Sequence, residues 1–149
     1  MNTSHTSKPP PWVSRLGYAG LLPFCFGAAG IWLLAPDQRA QASLALVGYG
    51  ATIASFLGAI HWGLAMRDPH ASAATPFVWG VAPSLTAWVA LLVTPMTGLL
   101  ILTLVLWACY AVDRKAYSNY QLQHWLPMRL RLTVVASLSC LAGAAALLR

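Results

Sequence analysis

What constrains this chain most is a succession of charge-free apolar runs, each close to the length that crosses a bilayer. A helix rises 1.5 Å per residue, so about 20 apolar residues span the hydrocarbon core. Leu16 to Ala35 is such a run and stops at Pro36-Asp37; Ser43 to Met66 is the next, ended by Arg67-Asp68-Pro69. The third opens with Thr75-Pro76, read as a hydroxyl N-cap before a first-turn proline, and extends to Thr94 before Pro95. Thr97 to Val112 forms the fourth, and Leu132 to Leu148 the fifth. Strands or loops exposed to lipid cannot satisfy their backbone groups. The expected fold is therefore all-α, an integral membrane bundle of five transmembrane helices. Residues 1–15 form an N-terminal tail and residues 16–149 a single membrane domain. Composition agrees: 58% of the residues are hydrophobic and only 8% charged, against roughly 25% charged in soluble domains. A run of about 20 apolar residues is also longer than the 7–15 of a signal peptide, so the first span reads as retained.

The net charge of +6 does not point to nucleic acid, because the basic residues flank apolar segments instead of forming a patch. With five crossings, Lys8, Arg15, Arg67, Arg114, Lys115, Arg129 and Arg131 fall on one side, and only Arg39 and Arg149 on the other. The positive-inside rule then predicts the N-terminus cytoplasmic and the C-terminus outside; the expected setting is multi-pass in the bacterial cytoplasmic (inner) membrane. Cys25, Cys109 and Cys140 are isolated within apolar runs and are expected to be small buried hydrophobes, with no disulfide or zinc spacing.

Helices in lipid meet where small residues let backbones approach. Such stripes are Gly20, Pro23, Gly27 and Gly30 in span one; Gly50, Ala54, Gly58 and then His61 in span two; Gly80, Pro83, Ala87 and Ala90 in span three; and Thr133, Ser137, Cys140 and Ala144 in span five. Span four has no such stripe and is expected to pack peripherally. His61 continues a packing stripe, so it should face protein. Pro23 and Pro83 each remove a backbone donor and free the carbonyls of Ala19 and Trp79. Trp62, Trp79, Asp113, Trp125, Arg129 and Arg131 lie at the same level as His61, toward the cytoplasmic end. The loop 113–131, with Tyr117, Tyr120, Leu122, Trp125 and Leu126, suits a short element in the head-group zone. The polar, aromatic and kink-forming residues thus gather in one half of the bundle, where a cavity can form. Simpler roles compete: aromatics and arginines populate membrane interfaces in any case, and a histidine near a helix end often only makes a hydrogen bond.

Several segments carry a family resemblance: Gly20-Leu21-Leu22-Pro23-Phe24, Ser55-Phe56-Leu57-Gly58-Ala59-Ile60-His61-Trp62-Gly63, Pro83-Ser84-Leu85 with Trp88, Asp113, and Trp125 with Arg129 and Leu132-Thr133. The chain resembles the family catalogued as domain of unknown function 3429. That resemblance extends from Gly17 to about Ser137, with Leu126 departing from an expected aromatic. It implies a small multi-span protein of bacterial or mitochondrial membranes and brings no activity, substrate or cofactor.

The favoured function is a non-enzymatic binding or accessory protein with a cytoplasmic-side pocket for a lipid-like or quinone-like ligand, or a subunit aiding assembly of a membrane complex. Its candidate ligand-binding residues are His61, Trp62, Trp79, Pro23, Pro83, Ser84, Asp113, Trp125 and Arg129. His61 would donate to the ligand's head, Trp62 and Trp79 would stack on it, and Arg129 would neutralise an anionic group. One alternative is a small transporter acting as a homo-oligomer, although hardly any charge lies at the midplane. Another is an intramembrane enzyme using His61 with Asp68 or Asp113 as orienting carboxylate. His61, His70, His124 and Asp113 share a side, but their spacing does not specify a metal site. No catalytic or metal-ligating set is assigned, and the sequence names no cofactor.

Overall fold

The computed structural model describes residues 10–67 and 74–149. Asp68 and His70 lie outside the described residues, as does Lys8. Helices account for nearly all of the described residues: α1 (Pro11–Ala19), α2 (Leu22–Leu33), α3 (Pro36–Arg67), α4 (Thr75–Leu92), α5 (Pro95–Asn119) and α6 (Leu126–Ala146), with a 3-10 turn at Gln123–Trp125. Grouped as continuous rods, they supply five segments long and apolar enough to cross a membrane among the described residues. The protein is an all-α, multi-pass membrane bundle.

Proline punctuates this fold in two ways. Pro23 stands in the first turn of α2 and leaves Gly20 and Leu21 as a break between α1 and α2. The Gly20 carbonyl, left without a helical partner, accepts a 2.8 Å hydrogen bond from the Tyr49 hydroxyl of α3, so the break is satisfied from a neighbouring helix. Pro83 sits inside α4, which continues through it. Pro36 and Pro95 open α3 and α5, where a missing N–H costs nothing. At the third span the cap differs from the sequence expectation. Thr75 is already helical and Ala74 is the cap residue, with no side-chain bond. The threonine that does cap is Thr94, whose hydroxyl accepts from the Thr97 backbone N–H at the start of α5.

α2, α3, α5 and α6 form the core, with Phe24, Ile31, Leu46, Ala54, Leu99, Leu102, Leu106 and Cys140 buried together. α4 lies outside on α3 and α5. Span four, expected at the periphery, is instead central, packed against α3, α4 and α6. The physical reason is complementarity between large and small side chains. α5 carries no stripe of its own because its leucines fill hollows left by glycines on its neighbours. A Cβ on Gly50 would meet Leu102 at 2.9 Å, and one on Gly143 would meet Leu99 at 3.2 Å.

The expected stripes of α3, α4 and α6 are all buried. α3 and α4 meet closely at Gly58 and Gly80, where a Cβ on Gly58 would collide with the Gly80 carbonyl oxygen. Span one is rotated from expectation. Its buried face is Phe24, Ala28 and Ile31, while Pro23 and Cys25 are exposed. Packing with Leu46 and Ala42 uses Gly27 and Gly30 only at the edge. Cys109 and Cys140 are buried as expected.

Candidate ligand-binding site at one end of the bundle

The segment read as a long loop, 113–131, is mostly helix. α5 continues past Val112 to Asn119, and α6 begins at Leu126. The reversal between them is tight. Gln121 adopts a left-handed conformation at φ 55°. The Leu122 N–H reaches the Tyr117 carbonyl at 2.8 Å, and the Gln121 N–H reaches that of Ser118. This is the two-bond pattern that commonly closes a helix C-terminus around glycine. It turns α6 back against α5, so Asp113 and Arg129 face each other from adjacent helices.

Asp113 is 1% exposed and His61 4% exposed. His61 Nε2 donates to Asp113 Oδ1 at 2.9 Å. Arg129 donates to Oδ2 through Nε at 2.8 Å and also through Nη2. Both carboxylate oxygens are thus used, and one side chain links α3, α5 and α6. A charge so buried is tolerable only when it is paired and hydrogen-bonded. The stripe that turned His61 inward thus ends on a carboxylate.

Beside this array lies a cavity of about 410 Å³ between α1, α2, α3 and α6, with α5 behind it. Its wall is largely aliphatic and aromatic, and Arg129, Tyr117, Thr133 and Trp125 supply its polar groups. The break at Gly20–Leu21 lets α1 lean toward α6, where Gly17 rests on the Met128 side chain and Arg131 Nη1 donates to the Tyr18 hydroxyl at 3.3 Å. A seam between α1 and α3 is left incompletely filled, and its rim residues Leu16 and Phe56 are exposed.

Of the nine candidate residues, the structure joins His61, Asp113 and Arg129 in one hydrogen-bonded array and brings Arg129 and Trp125 to the cavity. The others are elsewhere. Trp62 lies across Gly80 on the far side of α3, donates to the Phe77 carbonyl at 2.8 Å and packs edge-on against Phe77. Trp79, Pro83 and Ser84 belong to α4, and Pro23 is exposed; none of these five lines the cavity. His61 and Asp113 stand behind Arg129 instead of in the wall. Tyr117 and Thr133 were not among the candidates. Tyr117 looked like a loop residue because α5 seemed to end at Val112, and Thr133 was one member of a packing stripe. The signal that finds Thr133 is its i+4 relation to Arg129. Among the described residues no three His, Cys, Asp or Glu side chains converge closely enough to hold a metal ion.

The sequence matches the family described as Protein of unknown function (DUF3429) over residues 9–145. The chain belongs to this family. A curated relative is Transmembrane protein 69 of Xenopus tropicalis, 40% identical over 81 residues. The aligned stretch is 52% of this chain and 31% of that relative's length, so this DUF3429 protein corresponds to under a third of the relative. No solved structure matches it.

Proposed function

We propose that this protein is a small non-enzymatic binding or accessory protein of the membrane, with a pocket for a lipid-like or quinone-like ligand. The observation that carries this reading is the apolar cavity of about 410 Å³ with Arg129, Tyr117, Thr133 and Trp125 in its wall. Its size lies within the ~300–1,000 Å³ typical of small-molecule sites. An apolar wall with a few polar groups suits an amphipathic molecule entering sideways from lipid between α1 and α3. The candidate set therefore shifts to Arg129, Trp125, Tyr117 and Thr133, with His61 and Asp113 holding Arg129 in position.

The expected orientation belongs to the same proposal. Arg15, Arg67, Arg114, Lys115, Arg129 and Arg131 cluster on the side of the cavity, and Arg39 and Arg149 on the opposite side. That asymmetry supports an orientation with the N-terminus and cavity on the inner side, in what we take to be a bacterial cytoplasmic membrane.

The test is to purify the protein in mild detergent and extract it for mass spectrometry, beside Ala136→Leu, which fills the cavity wall. A stoichiometric amphipathic molecule in the native protein, lost from the folded variant, supports the reading. Equal extracts from both proteins would refute it. An impermeant thiol reagent on intact cells should leave Asn119→Cys unlabelled, and labelling from outside would reverse the orientation.

A further inference from the structure

The cavity's polar wall carries information about the ligand's head, and this step rests on the pocket reading just given. Arg129 is the cation of the wall, but its charge is already matched. Nε and Nη2 are bound to Asp113, whose other oxygen is bound to His61. An anionic head would have to compete with Asp113 in a low-dielectric setting and leave a carboxylate uncompensated, which is unfavourable. Tyr117 stands within hydrogen-bond reach of Arg129, so what the array leaves on offer is donor capacity from the Tyr117 hydroxyl and from the Arg129 N–H groups bound to neither Asp113 nor Tyr117.

The second observation is independent. Thr133 is 2% exposed, lines the cavity, and its Oγ1 has no hydrogen-bond partner among the described residues. Other hydroxyls in these helices bond back to the carbonyl four residues earlier, as Ser55 does to Ala51, Thr103 to Leu99 and Ser139 to Val135. Thr133 and Ser137 do not, and of the two only Thr133 lines the cavity; a buried unmade hydrogen bond costs about 1–3 kcal/mol. Arg129 and Thr133 are four residues apart on α6, so both leave the helix on the face that lines the cavity. A head with two separated carbonyl oxygens can meet both.

We infer that the cavity takes an uncharged amphiphile whose head presents two carbonyl oxygens, one accepting from the Thr133 hydroxyl and the other from Arg129. Trp125 and Tyr117 flank the head, and the tail leaves between Leu16 and Phe56 into lipid. A prenylquinone has this chemistry, and the two ester carbonyls of a neutral diacylglycerol share it.

Native mass spectrometry of the detergent-purified full chain tests the inference with three probes: decyl-benzoquinone, dioleoylglycerol and dioleoyl-phosphatidylglycerol. The expected result is saturable quinone binding, weakened roughly 5–10-fold by Thr133→Val and kept by Thr133→Ser, as the loss of one hydrogen bond predicts. Dioleoylglycerol binding tighter than quinone, with the same dependence on Thr133, supports the carbonyl head and assigns it to a neutral lipid. Phosphatidylglycerol binding tightest and indifferent to Thr133→Val would overturn this inference while leaving the pocket intact. If no probe binds, and Ala136→Leu leaves the extract unchanged, the pocket reading falls with it. Thr133→Val and Thr133→Ser weakening quinone equally would also overturn the role of the hydroxyl.

Discussion

The two sides of α3 are packed by opposite rules. Toward α4, glycine meets glycine: Gly58 lies so close to Gly80 that a single methyl group would strike backbone. Toward α1, α2 and α6, the same helix presents Ile53, Phe56, Leu57 and Ile60 to a cavity. The first seam spends its small residues on contact; the second faces a broken helix that cannot follow α3 along its length. Tight packing in lipid depends on backbones approaching, so interrupting one rod is enough to open a space beside its neighbour. The open seam keeps its shape because charge holds its rear: Asp113 fastens α3, α5 and α6 together behind it.

Substitutions can break or sharpen this contrast. The largest effect is expected from Asp113→Leu, which strands Arg129 and His61 and should cost about 3–5 kcal/mol. Thermal unfolding in detergent would measure it, and adding Arg129→Met should restore part of the loss. Gly58→Ala on the closed seam should cost about 1–3 kcal/mol, because the new methyl group meets the Gly80 carbonyl and neither backbone can yield cheaply. Tyr49→Phe removes the partner of the Gly20 carbonyl and should cost about 0.5–1.5 kcal/mol; amide exchange around Gly20–Leu21 should rise with it. Gln121→Gly should raise stability by roughly 0.5–1 kcal/mol, since only the turn's left-handed backbone is relieved. Smallest is Gly17→Ala on the open seam, under about 0.5 kcal/mol, as its methyl group meets only the mobile end of Met128. If Gly17→Ala and Gly58→Ala were equally costly, the two seams would not differ as described.

The opposite end of the bundle sharpens the same point. There the Trp32 indole donates to the Ala142 carbonyl at 2.9 Å and Arg149 stacks over its ring at 4.0 Å. That arrangement is an interfacial anchor on a filled core. Aromatic and cationic residues alone do not make a pocket; the unfilled seam beside them does.

Much of the scaffold was legible in the chain because its signals are local. Hydropathy over about 20 residues marks each crossing, proline and charge mark where a helix begins or stops, and a repeat of small residues at three- and four-residue steps marks the faces of α3, α4 and α6. Those same rules put His61 inside. They failed at α5, because a leucine stripe facing lipid and one facing glycines look alike in sequence. They also failed at span one, where Pro23 was counted into a packing face that the break had turned away. Above all, hydropathy ends a helix where charge begins, which hid that α5 carries Asp113 and Tyr117 on a continuing rod.

The sequence by itself determined that this polypeptide lives in lipid, how many times its rods cross, and which faces of α3, α4 and α6 turn inward. Only the tertiary structure decided that Asp113 is shared by His61 and Arg129, that α5 is central, and that a space remains between α1 and α3. Those outcomes depend on which helix lies beside which, and on where two surfaces fail to fit. Side chains 52 and 16 residues apart meet at one carboxylate, and no window along the chain contains that meeting.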